Sequence, residues 1–480
     1  MDAHQRIRAL LERALQRARV DGIVPPEATA PITLEHPANP EHGDFATNVA
    51  LRLAKSARRS PLDLAGDLVR RMEEDRPDLV DRIAVARPGF INFYLRDAWV
   101  AQQVAGIRAA GEKYGAVDIG AGESLQVEYV SGNPTGPLHV GHGRGAVLGS
   151  TLANVLGAAG YRVAQEYYIN DAGNQIDLFH QTIWARYRQA LGEPAEVPAE
   201  GYAGAYVVEL ARDLVEEYGD RFRHQPEETA MAELGAIAMS RMLDEIRETL
   251  ALLGVEFDVW FSERSLFTGG TYNDTIARLR ARGVVEERDG ALWLLSTRLG
   301  EDKDNVLVRN TGVPTYFASD IAYHFDKLAL RSFDRAIDIW GADHLGHVSR
   351  LKSALGALDI DPDRFTVIIA QMVTLKRGGE VVKLSKRTGE IISLREVVEE
   401  VGADACRFFF LTRSADSQMD FDLELAKEQS PENPVYYVQY AHARICSILR
   451  LAAEQGIQVA EGPLDRIEHA SELTLLRRML

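Results

Sequence analysis

The sequence predicts an α/β protein. A parallel-sheet domain lies at its centre, an α+β domain precedes it, and an α-helical domain begins behind it. Three observations carry this expectation. Gln126-Val-Glu-Tyr-Val130 reads as a buried parallel strand, and Tyr161 to Asn170 reads as a second strand of the same βαβ unit. Between them, Ser131 to Pro137 holds Gly, Asn, Pro, Gly and Pro, which is loop chemistry. From His142 the spacing of Val147, Leu148, Leu152, Val155 and Leu156 is helical.

A strand that feeds a glycine-rich turn and then a helix start is a ready anion site. Helix N-termini carry unpaired N–H groups and a partial positive charge. His139 and His142 are three residues apart, so both imidazoles can face one bound phosphate, and Gly141 and Gly143 let the backbone approach a nucleotide closely. Far downstream, Lys383-Leu-Ser385-Lys386-Arg-Thr-Gly389 is a basic loop with Gly378-Gly379 ahead of it. Read alone, the first motif fits a dinucleotide-binding turn equally well. The pair of motifs, with a whole domain between them, does not.

His139-Val-Gly-His142 resembles the HIGH signature of class I aminoacyl-tRNA synthetases, and Lys383 to Gly389 is similar to their KMSKS loop. The resemblance implies a Rossmann-type catalytic domain that activates an amino acid with ATP and Mg²⁺. By the same carry-over His139 and His142 hold the ATP phosphates, Lys383 and Lys386 neutralise the departing pyrophosphate, and Gly141, Gly143 and Ser385 line the nucleotide.

Composition sets the outer bounds. At 480 residues the chain exceeds one core and divides into two to four domains. Hydrophobic content of 46% beside 26% charged residues is ordinary for a globular enzyme. The charged start, Met1-Asp-Ala-His-Gln-Arg, lacks the apolar stretch of a signal peptide, and no apolar run reaches the roughly 20 residues that span a bilayer. Two cysteines, Cys406 and Cys446, exclude a disulfide framework and a cysteine-rich zinc site. The expected place is the cytoplasm, with no membrane partner. A net charge of −17 does not exclude nucleic acid, because phosphate binding needs only a local basic surface such as Lys55 to Arg59, Arg70-Arg71 or Lys376 to Arg387.

In chain order, residues 1–112 form a first domain. Ile7, Leu10, Leu11 and Leu15 recur at helical spacing. Ala30 to Glu35 reads as a strand, Ala46 to Ala57 and Pro61 to Met72 as helices, and Arg87 to Leu95 as an alternating strand. The phrases Gly43 to Asn48 and Pro88 to Asn92 resemble the additional N-terminal domain of arginyl-tRNA synthetases, which implies a contact with the corner of the tRNA. The bland alternative is a scaffolding role.

Residues 113–412 are the catalytic domain, with an insertion at about 176–300. That insertion holds three helical stretches (177–191, 203–217, 227–253) and a hairpin turning at Asp289-Gly290. After it, Pro314 marks a helix start, and Tyr316 and Asp320 share one helix face. A carboxylate beside an aromatic ring is what a guanidinium needs. This pair resembles the arginine-binding position of arginyl-tRNA synthetases, which further implies Ser131 and Asn133 at the substrate's α-amino and carboxylate ends. Ile337 to Trp340 is the next strand, and Asp343, His344 and His347 behind it suit the ribose and adenine of ATP. A zinc site on His344, His347 and His324 lacks a demonstrated fourth ligand, so no bound metal is expected. Phe365 to Ala370 is a further buried strand.

Residues 413–480 turn helical, as at the start of an anticodon-binding domain. The family pattern continues for roughly another hundred residues, so a truncated helical domain is expected. The whole reads as an arginyl-tRNA synthetase with L-arginine, ATP and the cognate tRNA as partners, working as a monomer. Two alternatives remain: another class I synthetase, or a catalytically silent tRNA-binding paralogue.

Overall fold

Strands Phe45–Thr47 (β1), Val80–Ala86 (β2) and Phe90–Leu95 (β3) form an antiparallel sheet in the order β1-β3-β2. The computed structural model describes residues 3–382, 392–457 and 462–480. This sheet belongs to the first of two compact units, Met1–Gly115 together with Gln455–Leu480. Its core gathers Ile7, Leu10 and Leu11 from the helix Ala3–Val20 with Val49, Leu53, Leu64, Leu68 and Phe93. Ser60 caps the helix Pro61–Glu73, its Oγ accepting the Asp63 N–H at 3.1 Å.

Two expectations change here. The helix expected from Ala46 starts only at Val49, because residues 45–47 are drawn into pairing with β3, Phe45 opposite Phe93. Ala30 to Glu35 is not a strand; Glu35 alone bridges Ala46. The helix Ala470–Met479 also belongs to this unit. It buries Leu473 and Leu476 in the core, and Arg477 Nε lies 2.8 Å from Asp44 Oδ1. The stretch expected to continue a separate helical domain is thus partly used to complete the first core.

The second unit, Ala116–Glu454, contains Ser124–Glu128 (β4), Arg162–Ile169 (β5) and Val259–Ser262 (β6). Val285–Arg288 (β7), Ala291–Leu294 (β8) and Asn305–Val308 (β9) follow, then Arg335–Gly341 (β10) and Phe365–Ala370 (β11). Val373–Arg377 (β12), Glu380–Val381 (β13) and Met419–Asp422 (β14) come last. The main sheet is parallel throughout, in the order β11-β10-β4-β5-β6. Its edge strand β6 comes from within the segment read as an insertion, so 176–300 is not wholly peripheral. The helices Asn174–Ala190, Ala205–Tyr218 and Glu227–Leu252 build their own core around Phe179, Ile183, Leu214 and Leu234. The hairpin β7–β8 turns where expected, with Asp289 and Gly290 both left-handed at φ 50° and 76°. Past residue 412 the chain is not yet helical: β14 pairs in parallel with β12, Val373 opposite Met419.

The helix Val140–Ala158 packs back onto the main sheet through a glycine. A Cβ at Gly149 would come within 2.1 Å of the Tyr129 ring. Gly149→Ala is expected to cost about 1–3 kcal/mol through overpacking, read as a lowered midpoint in thermal unfolding. An unchanged midpoint would mean that Tyr129 can swing away.

Candidate active site

The strand β4 ends at Glu128, two residues earlier than its apolar run implies. Val130 and Ser131 then adopt left-handed backbone, at φ 69° and 41°. Such positions cost of order 1–3 kcal/mol and persist only where neighbours hold them. Ser131 is held by its hydroxyl, which donates to Glu128 Oε1 (2.8 Å) and accepts the Tyr168 N–H (3.1 Å). The hydroxyl expected at the substrate is therefore committed to the protein, while Asn133 is exposed beyond it.

His139 is the N-cap of the helix that follows. Its Nδ1 accepts the Gly141 N–H at 3.1 Å, and His142 Nδ1 accepts the His139 N–H at 3.2 Å, closing a capping box made of two histidines. The rings stack with centroids 3.8 Å apart. With Nδ1 spent as the acceptor, the donor hydrogen of a neutral ring is on Nε2. Burial, and then His139, push the His142 imidazole down to about 3, so it meets an anion as a neutral donor.

The two glycines are occupied by packing. A Cβ at Gly141 would come within 2.9 Å of the His139 ring, and one at Gly143 within 2.5 Å of Leu394. Gly143 is buried, whereas Gly141 stays exposed at the turn. Lys383, Ser385 and Lys386 lie outside the described residues. The chain that follows them returns to the histidine turn, where Ser393 bridges His139 and the Leu394 N–H reaches the Leu138 carbonyl at 2.7 Å.

The helix Tyr316–Phe325 begins where Pro314 predicts, capped by Thr315. Tyr316 is half exposed, and one turn on Asp320 Oδ2 accepts from His347 Nε2 at 2.8 Å. Arg350 Nε donates to His347 Nδ1 at 3.1 Å, which leaves the ring's hydrogen on Nε2, aimed at Asp320. His347, a candidate for the adenine end of ATP, is paired with Asp320. Asp343 and His344 remain exposed just past β10, 3.4 Å apart. His324 has both ring nitrogens engaged, by the Asp320 carbonyl (2.8 Å) and Asp338 Oδ2 (2.8 Å), so its ring does not turn toward His344 and His347. Among the described residues no group of three or more His, Cys, Asp or Glu side chains is arranged to hold a metal ion.

Comparison with known proteins decides the family. Residues 103–420 match the model described as tRNA synthetases class I (R), catalytic domain, and residues 5–95 match the arginyl tRNA synthetase N terminal domain. The chain belongs to the arginyl-tRNA synthetases. Residues 438–480 match the DALR anticodon binding domain. An arginine–tRNA ligase of Dehalococcoides mccartyi strain CBDB1 is 55% identical over 98% of this chain and 84% of its own length. One from Carboxydothermus hydrogenoformans is 51% identical over 99% and 86%. The arginyl-tRNA synthetase structure from Thermus thermophilus shares the fold, with a TM-score of 0.76 at 20% identity, covering 100% of this chain and 86% of the other.

Two features of this synthetase were not legible in its sequence. Glu263, the first residue of the helix after β6, is buried beside Ser319, Asp320 and Asp171, and its Oε2 has no hydrogen-bond partner. Burial raises its carboxyl to about 7, with the Ser319 hydrogen bond working against the rise and the Asp320 and Asp171 charges adding to it. The second feature is a row of carboxylates across neighbouring strands, Asp338 opposite Glu128 and Glu128 opposite Glu166. Lys327 Nζ lies 2.5 Å from Glu128 Oε2 and 2.9 Å from Asp338 Oδ1, while Arg331 takes Glu166 bidentately at 2.5 and 2.9 Å. No local spacing signals either feature, since both join residues far apart in the chain.

A carboxyl raised in the folded state contributes stability at low pH that is lost as pH rises through its folded value. Glu263→Gln is therefore expected to match the parent protein in thermal unfolding at about pH 4, below the ordinary glutamate value, and to exceed it at about pH 8. A gap independent of pH would mean that the Glu263 carboxyl is not raised in the folded state.

Proposed function

We infer that the chain activates arginine with ATP, releases pyrophosphate and transfers the arginyl group to tRNA, and that Asp320 selects the amino acid. The observation that carries the choice of arginine is the helix opening at Tyr316, with a ring and a carboxylate one turn apart at its accessible end. A guanidinium entering this pocket loses water and is compensated by carboxylate oxygens in fork geometry. Glu263, buried beside Asp320 with an unpartnered oxygen, supplies a second carboxylate to the same cation. An ammonium is a point charge and fills such a fork poorly, so lysine is rejected without an editing step.

In the first step an arginine carboxylate oxygen attacks the α-phosphorus of ATP while the bond to the bridging oxygen of pyrophosphate breaks. This needs alignment and charge stabilisation more than a general base. His139 and His142 meet the phosphates through Nε2–H, at the N-terminus of their helix, where the dipole adds to the field. Lys383 and Lys386 supply the positive charge that a neutral His142 does not, with Mg²⁺ arriving as part of the ATP complex. Asn133 receives the backbone end of arginine, and Asp343 and His344 the nucleoside end. In the second step a terminal ribose hydroxyl of tRNA attacks the arginyl carbonyl and AMP leaves. Residues 1–112 meet the corner of the tRNA and the segment from 413 begins the anticodon-binding part; these assignments rest on the family resemblance, as do the monomer and the cytoplasm. No described helix is long and apolar enough to cross a membrane.

ATP–pyrophosphate exchange across the amino acids, run with tRNA present, tests the reading: exchange is expected with arginine and little with lysine. Asp320→Asn keeps size and removes charge, at a cost of about 2–5 kcal/mol, or about 30- to 5,000-fold in arginine dependence, with ATP dependence nearly unchanged. An unchanged arginine constant would remove Asp320 from the site. Lys386→Ala is expected to slow single-turnover adenylate formation by about 10²–10³, since the charge it meets develops in the transition state. A matching loss in ATP affinity with the rate preserved would make it a ground-state contact.

A further inference from the structure

The two sides of the proposed arginine site come from distant stretches of chain, the turn after β4 and the helix at 316, and a single buried ammonium links them. Ser131 Oγ is fixed by Glu128 Oε1 (2.8 Å), and the other oxygen of Glu128 accepts from Lys327 Nζ (2.5 Å). The same Nζ donates to Asp338 Oδ1 (2.9 Å), Asp338 Oδ2 meets His324 Nε2 (2.8 Å), and His324 Nδ1 meets the Asp320 backbone carbonyl (2.8 Å). The links are short and polar, and Lys327, Asp338, His324 and Glu128 are all buried. Lys327 is not exposed at all.

We propose that Lys327 is a positioning residue for amino-acid binding. It sets the spacing between the Val130–Ser131 turn and Asp320 through Glu128 on one side and Asp338 with His324 on the other. This rests on the reading that Asp320 receives the guanidinium. The geometry favours positioning over mere core stability for two reasons. The chain of contacts ends at both faces of the site, on the hydroxyl of a left-handed serine and on the backbone carbonyl of Asp320 itself. The helix also departs from α geometry where Lys327 lies: residues 326–330 form a π turn, closed by the Arg331 N–H on the Asp326 carbonyl at 2.8 Å. Such turns reorient side chains, and they recur at functional sites. Here the turn delivers Lys327 to two carboxylates at once.

The test is steady-state ATP–pyrophosphate exchange with tRNA present, titrating arginine and ATP separately. Lys327→Met is expected to raise KM for arginine by about tenfold and to leave KM for ATP within about twofold, with Lys327→Arg recovering part of the loss. A residue that only stabilises the fold lowers the amount of active protein, and so kcat, without moving KM for arginine. Lys327→Met leaves two carboxylates facing each other. Should it fail to fold, His324→Phe decides, since it cuts the link to Asp320 and leaves Lys327 paired. It is expected to raise KM for arginine by about three- to tenfold. An unchanged KM for arginine in the folded variant overturns the proposal. Asp320→Asn run alongside separates the two failures: if it raises KM for arginine while His324→Phe does not, only the positioning role falls. If neither moves it, the assignment of Asp320 has failed first.

Discussion

Lys327 sits without solvent in the π turn that continues the helix Tyr316–Phe325, beside carboxylates that three neighbouring parallel strands bring into one row. Desolvation alone would strip its proton. The Asp338, Glu128 and Glu166 charges outweigh burial and hold the ammonium above its ordinary range. Burial raises the Glu128 carboxyl, while at Asp338 Lys327 and His324 overcome the same penalty and hold the group below its ordinary range. Removing one partner of such a set costs about 3–5 kcal/mol, whereas replacing the whole set by apolar side chains is often neutral. A cluster of this kind is therefore poor value for stability and good value for uniqueness. It allows one register of the helix on the sheet, since a slip of one residue would leave a charge buried alone.

The histidine turn obeys a related constraint with different chemistry. A helix N-terminus has unsatisfied N–H groups, and here two imidazoles satisfy them through Nδ1, which fixes both ring planes and tautomers before any nucleotide arrives. The neighbouring glycines make this possible by leaving room for a ring at 141 and for Leu394 at 143. Arg144, fully buried, adds a clamp: its guanidinium donates to the carbonyls of Gln371, Ser414 and Ser417 at 2.8–2.9 Å, so the histidine helix is tied to the segments that lead into β12 and β14.

Opposite demands meet at Asp320 and Glu263. Burial, with the neighbouring Asp320 charge adding to it, makes Glu263 hold its proton up to about 7. In the absence of a cation that arrangement costs stability. In its presence the same arrangement becomes the reason for binding. His347, backed by Arg350, orients Asp320 without neutralising Glu263, which has no hydrogen-bond partner on Oε2.

What the sequence determined by itself were the features whose signal is local. The strand, turn and helix around His139, the hairpin at Asp289-Gly290, and the helix opening after Pro314 with Tyr316 and Asp320 on one face follow from backbone chemistry within a few residues. Tertiary structure alone decided the partners. Nothing near Lys327 in the chain announces Glu128, which is 199 residues away. Nothing near His347 announces Asp320, and nothing in Val259–Ser262 announces that it closes the main sheet. The fate of the last helix was equally hidden, because an amphipathic segment declares that it must bury a face but not against what. Periodicity and turn residues are properties of neighbouring residues; charge pairing and burial are properties of distance in space, which folding sets.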